Sequence, residues 1–226
     1  MVTHHEINVG GKSLKYTATA GMMPIKNRDG ETEARIFFMA YTLDGAGDRN
    51  TRPLTFSFNG GPGSASVWLH MGCIGPRRVP MNPDGTMPAP PYHLVDNQQT
   101  WLDQTDLVFI DPVGTGYSRI VRPEASRFIG LNGDIESVGE FIRMYLVRNE
   151  RWTSPLFLAG ESYGTTRASA LSGYLIDRGI AFNGIVLIST IMNFETTDFA
   201  VWKRSSLHHV PAVVRGYGVV SQETAA

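Results

Sequence analysis

The strongest constraint on this chain is the stretch Pro155-Leu156-Phe157-Leu158-Ala159-Gly160-Glu161-Ser162-Tyr163-Gly164. An apolar run of strand length leads straight into a serine set between glycines, and a helix-like segment follows from Thr166 to Arg178, with Gly179 as its stop. Strand, sharp turn and helix in that order make a nucleophile elbow. The turn lifts the serine hydroxyl clear of the sheet and aims the helix N-terminus at the reacting atom. Gly-x-Ser-x-Gly is common by itself; its place between strand and helix gives it meaning.

The remaining elements supply a sheet for that elbow. Glu6-Ile7-Asn8-Val9 and Leu14 to Thr19 read as strands joined by Gly10-Gly11, a hairpin turn, so the sheet starts antiparallel. Ala34 to Tyr41 and Leu54 to Phe58 are further strands. Leu107-Val108-Phe109-Ile110 has the continuous apolar character of a buried parallel strand, and Ile185 to Ser189 is another strand. Between them, Ile135, Val138, Phe141, Ile142, Tyr145 and Leu146 recur at helical spacing, and Asp134, Glu136, Glu140 and Arg143 form the solvated face. Strands alternating with helices after an antiparallel start predict a mostly parallel α/β sheet covered on both faces. Asn82 to Tyr92, rich in Pro and Gly, is a surface loop.

Two glycine-rich loops follow strands. Asn59-Gly60-Gly61-Pro62-Gly63-Ser64 brings backbone N–H groups close to a ligand, as an oxyanion hole or anion nest requires. Asp111-Pro112-Val113-Gly114-Thr115-Gly116-Tyr117-Ser118 lacks the Lys-Ser/Thr of a phosphate loop and any dinucleotide fingerprint, so it reads as the rim of a cleft.

The 226 residues, 42% of them hydrophobic, are enough for one generous core. A net charge of -1, with no basic stripe, argues against nucleic acid and anionic membranes and leaves a small molecule or peptide as partner. No run has the length of a membrane span, and Met1-Val2-Thr3-His4 does not open a signal peptide. Cys73, the single cysteine, reads as a small buried hydrophobe. His4 and His5 read as exposed polar residues rather than metal ligands.

Taken together, the Asn59 to Gly63, Asp111 to Ser118 and Gly160 to Gly164 motifs resemble the serine carboxypeptidase family of the α/β-hydrolase fold, over roughly residues 4 to 200. The resemblance implies Ser162 as acyl-enzyme nucleophile and the backbone N–H groups of Gly61 and Tyr163 as oxyanion hole. It further implies that Asn59, Gly60 and Glu161 hold the free C-terminal carboxylate of a peptide. No cofactor or metal is implied, and the family's periplasmic or secreted setting is the expected location. Oligomeric state stays open. An esterase or acyltransferase on the same scaffold and a non-catalytic peptide-binding fragment are the competing readings.

The departures from the pattern carry information. Ser64 stands where the family has a disulfide cysteine, and Cys73 stands where it has a glutamate that shares a proton with the one before the nucleophile. Activity is therefore expected not to require acidic pH. The fold takes its acid and histidine from later strands, whereas downstream of Ser162 the only histidines are His208 and His209 and the only Asp residues are Asp177 and Asp198. The segment His209-Val210-Pro211 resembles the family's histidine motif but follows the elbow too closely. Residues 1–200 thus read as the N-terminal part of the hydrolase domain, and 201–226 as a tail outside the family pattern. With suitable codons read one base later, that tail encodes a string beginning Ser-Gly-Asn-Asp-Leu-Pro-Tyr, which resembles the family's continuation. A frameshift, and hence a truncated product, is the expectation. The nucleotide sequence around the Ala200 codon decides it: the idea fails if no single-base change opens a long frame.

Overall fold

A computed structural model describes residues 1–192. The tail from 201 to 226, with His208 and His209, lies outside the described residues, as does Asp198. The two N-terminal strands, β1 (Val2–Val9) and β2 (Lys12–Lys26), form the expected hairpin, with Gly10 and Gly11 both at positive φ as its two-residue turn requires. Next come β3 (Thr32–Leu43) and β4 (Leu54–Phe58), a two-stranded ribbon of β5 (Arg77–Arg78) with β6 (Val95–Asp96), and β7 (Asp106–Ile110). The short β8 (Arg119–Ile120), then β9 (Leu156–Glu161) and β10 (Gly184–Ile188), complete the strands.

The main sheet runs in the order β1-β2-β3-β7-β4-β9-β10, with β8 paired beside β3. The first three strands and the β3–β7 contact are antiparallel; β7, β4, β9 and β10 are mutually parallel. Alternation along β7 shows how the two faces are built. Val108 and Ile110 point into a core formed with helices α2 (Leu131–Arg148) and α3 (Tyr163–Ile176), which pack on one face. Leu107 and Phe109 point the other way, onto Tyr41, Leu69, Ile74 and Leu102. That second face carries a short helical segment, α1 (Val67–Leu69), which continues into a π-helical turn, His70–Ile74. Helices thus lie on both faces, the two long ones together on the first.

The parallel strands are pinned at their N-terminal ends by one buried carboxylate. Asp106, at the start of β7, takes Arg52 Nε at 2.8 Å and Arg151 Nη1 at 2.6 Å; Arg52 precedes β4 and Arg151 precedes β9. Arg151 also donates to the Arg52 carbonyl and to Ser154 Oγ, so little of its donor capacity is left unpaired. The opposite, C-terminal ends of these strands carry both glycine-rich loops and the elbow, where open α/β sheets bind their ligands.

The structure corrects three expectations. Asp134 does not belong to the solvated face of α2: it is buried beside Arg167, because it stands in helical register with Val138, Phe141 and Tyr145. Glu136, Glu140 and Arg143 do stay at the surface, in ion pairs with Arg127 and with each other. Cys73 is exposed rather than buried, because the π-helical turn sends Leu69 and Ile74 inward and leaves residues 72 and 73 toward solvent. Helix α3 begins at Tyr163, three residues earlier than its sequence suggests, so no linker separates elbow and helix.

His70 is half-buried beside the second core, stacked on Phe109 at 4.5 Å and hydrogen-bonded through Nε2 to the Tyr41 hydroxyl at 2.5 Å. Burial lowers its pKa to about 4. In the unfolded chain an imidazole binds its proton near pH ~6.5, so the unfolded state takes up protons first as pH falls. The stability contributed by neutral His70 is fully present above that value and is lost as pH drops toward about 4, at most on the order of 3 kcal/mol. Denaturant midpoints measured across this range should fall with acid, and His70→Gln should flatten the slope.

Candidate active site

The elbow is built as the sequence indicates. Ser162 has φ 57° and ψ -127°, a conformation that non-glycine residues rarely adopt and that surrounding structure must enforce. Its N–H donates to the Ile188 carbonyl of β10 at 2.9 Å, and its carbonyl accepts from Thr165 N at 2.9 Å and Thr165 Oγ1 at 2.7 Å. The glycines on either side permit the approach this needs. A Cβ on Gly160 would sit 2.2 Å from the Gly164 carbonyl oxygen, and one on Gly164 would sit 2.9 Å from that of Phe58.

The loop after β4 presses against this turn. A Cβ on Gly60 would lie 2.4 Å from Tyr163 N and 2.7 Å from the Glu161 carbonyl oxygen. The backbone around Gly60 is therefore in van der Waals contact with the N–H that follows Ser162, and Gly61, at φ 108°, continues the loop. Asn59 is 1% exposed and acts in both directions: Nδ2 donates to Glu161 Oε2 at 3.0 Å, and Oδ1 accepts from Leu69 N at 3.0 Å. One side chain thereby ties β4, the elbow and α1 together.

Asn59, Gly61, Glu161 and Ser162, four of the six residues singled out from sequence, line one open cavity of about 540 Å³ with Ser64, Trp68 and Leu69. Gly60 and Tyr163 lie directly behind them rather than on its wall. Trp68, 69% exposed, is the large apolar surface beside the serine; the motifs do not single it out, although it stands only eight residues after Gly60. No histidine lines this cavity among the described residues.

The second glycine-rich loop braces the first. Asp111 Oδ1 accepts from Ser66 N at 2.9 Å and Oδ2 from Tyr117 N at 3.2 Å, while Ser66 Oγ donates to the Ile110 carbonyl. Burial pushes the Asp111 carboxyl upward, and the two backbone donors pull against it. Gly116 must lack a side chain because a Cβ would meet Asp111 Oδ2 at 2.0 Å. This loop shapes the cleft through those contacts, without lining it.

A sheet of this order, with a strained serine between strand and helix and a glycine loop against the following N–H, defines an α/β-hydrolase. The family model described as serine carboxypeptidase matches residues 11–200. The chain belongs to that family. It is similar to the pheromone-processing carboxypeptidase KEX1 of Saccharomyces cerevisiae, 31% identical over 156 residues, which are 64% of this chain and 20% of that protein. Similarity extends to the serine carboxypeptidase-like 45 protein of Arabidopsis thaliana, 25% identical over 88% of this chain and 45% of the relative. Among solved structures, a prohormone-processing carboxypeptidase from Saccharomyces cerevisiae superimposes with a TM-score of 0.58 at 26% identity, covering 76% of this chain and 38% of the other. The chain spans less than half the length of these relatives.

The packing of Gly60 on the elbow gives a direct check. Gly60→Ala should cost about 1–3 kcal/mol, as overpacking at a rigid contact does. Gly72→Ala, at a position with open space around it, should be close to neutral, within about 0.5 kcal/mol. Thermal unfolding of the two variants measures the contrast.

Proposed function

We propose that this chain carries the nucleophile, the oxyanion donors and the carboxylate grip of a serine carboxypeptidase. The observation that supports this best is the cavity in which Ser162 meets Asn59, Gly61 and Glu161. In this reading Ser162 Oγ attacks the carbonyl of the last peptide bond, and the Gly61 and Tyr163 N–H groups stabilise the resulting oxyanion. Collapse of the tetrahedral species breaks the C–N bond, leaves an acyl-enzyme and releases the C-terminal residue as its amine takes up the proton.

Asn59, Gly60 and Glu161 select a free carboxylate, and that selection distinguishes a carboxypeptidase from an esterase or acyltransferase on the same scaffold. Among the described residues, neither a base to take the Ser162 proton nor an acid to orient it lines the cavity. The 226-residue chain alone is accordingly proposed to bind rather than to turn over substrate, with residues 1–200 as the hydrolase part and 201–226 as a tail outside it. The secreted or periplasmic setting belongs to the same proposal.

Isothermal titration tests the grip. A blocked dipeptide with a free C-terminus is expected to bind at least about tenfold tighter than its C-terminal amide; equal affinities would remove the carboxylate grip and favour the esterase reading. With Cys73 in place of a second carboxyl, the donors to the substrate carboxylate in this reading are Asn59 and the loop N–H groups, while Glu161, an acceptor when ionised, holds the Asn59 amide; the affinity should then be flat between about pH 6 and about pH 8. Treatment of the chain with a fluorophosphonate probe should label Ser162 far below one equivalent. Full labelling would mean that the chain supplies its own base.

A further inference from the structure

Arg167 has the largest side chain among the fully buried residues described, at 1% exposure. A guanidinium in such a place is costly unless its donors are taken. Here Nε donates to Asp134 Oδ2 at 2.7 Å, and Nη1 donates to the main-chain carbonyl of Asn59 at 2.8 Å. The Phe58 and Tyr163 rings each lie 5.1 Å from the guanidinium carbon, and the Tyr163 hydroxyl donates to the same Asp134 oxygen at 3.3 Å. Burial pushes the Asp134 carboxyl up, and Arg167 and that hydroxyl pull against it.

An ion pair joining α2 and α3 would need only the first of these bonds. The second reaches across to the glycine loop, and it ends on the peptide unit that joins Asn59 to Gly60. That unit's carbonyl belongs to Asn59 and its N–H to Gly60. A cation bonded to the carbonyl fixes the plane of the peptide and polarises it, which makes the N–H at its other end a stronger donor. The same unit carries the Asn59 side chain that holds Glu161 and Leu69.

We propose that Arg167 is a positioning residue, acting through the Asn59 carbonyl to orient the Gly60 and Gly61 N–H groups and the Asn59 amide for an anionic group in the cavity. Arg167 does not line that cavity. Its planar fork suits this role, because one edge meets a carboxylate on α2 while another meets a carbonyl on the loop, a span that a lysine ammonium does not hold in fixed geometry. The binding half of this proposal rests on the carboxylate grip described above; the orientation of the loop does not.

The test uses the whole chain and two variants. The double substitution Arg167→Met with Asp134→Leu removes both charges, so no buried carboxylate is orphaned. Arg167→Lys keeps the charge and loses the fork. In ¹⁵N–¹H spectra both folded variants should displace the Gly60 and Gly61 amide resonances, with those of the β1–β2 hairpin unchanged. In titrations the free-acid dipeptide should lose about tenfold or more in affinity while its amide is unaffected. Undisturbed Gly60 and Gly61 resonances in either folded variant would overturn the proposal, and so would an unaltered free-acid affinity. If the unsubstituted chain already fails to tell acid from amide, the grip itself is wrong, and the Gly60 resonance still decides the role of Arg167. If the double variant does not fold, Arg167→Lys is read by the same two measurements.

Discussion

The constraint on which the rest of the site depends is the backbone of Ser162. A non-glycine residue at φ 57° and ψ -127° stores strain of about 1–3 kcal/mol, and it persists only where its neighbours over-determine it. They do so here from three sides. The Ile188 carbonyl fixes the N–H, Thr165 fixes the carbonyl twice, and the Gly60 backbone closes the remaining side against Tyr163. Each support comes from a different part of the chain: β10, α3 and the loop after β4. The elbow is therefore a product of tertiary structure, which the local sequence only permits.

The parallel strands are tied by polar groups at both ends, to different effect. At their N-terminal ends Asp106 takes two arginines and holds three strand starts in register. At their C-terminal ends Asp111 holds the two glycine-rich loops together through backbone N–H groups, and Asn59 joins one of them to the elbow. The first end is saturated and closed. The second commits Asp111 to main-chain N–H groups and Asn59 to both a main-chain N–H and the Glu161 carboxylate, and leaves an open cavity of about 540 Å³ in front of the serine. Rigid loops there cost stability through strain and close contact, and the pinned end with the two apolar cores offsets it.

Much of this was legible in the sequence because the signals were local. Hairpin glycines, alternating or continuous apolar runs and the strand-serine-helix order each follow from a few adjacent residues. The glycine loop and the elbow were legible for the same reason, and the fold brings both to one cavity; the roles given to Asn59, Gly60 and Glu161 came from the family resemblance and remain proposals. What escaped were contacts between distant segments. Asp134 looks like one more surface acid until α3 brings Arg167 against it, although its register with Val138 and Phe141 is a usable sign. Cys73 looks like a core residue because a π-helical turn changes which side chains face inward, and no local pattern marks such a turn. Trp68 gives no signal beyond its closeness to the glycine loop.

Under the proposed carboxylate grip, Cys73, which the family resemblance sets in the place of a glutamate, bears on how an anion is held. Two carboxyls side by side bind a third only by sharing protons, which ties such a grip to acid conditions. Here Glu161 has an amide, Asn59 Nδ2, as its partner, and Cys73 is turned toward solvent with its thiol pushed up by what protein remains around it. Donors for an incoming carboxylate must then come from the glycine backbone rather than from a protonated side chain. On the proposal made for Arg167, the guanidinium bonded to the Asn59 carbonyl strengthens such donors. His70, whose neutral form the second core requires, sets the opposite limit, since acid that would help a paired-carboxyl site would weaken this fold. Under the proposed grip, both features favour a working range nearer neutrality than a paired-carboxyl site would allow.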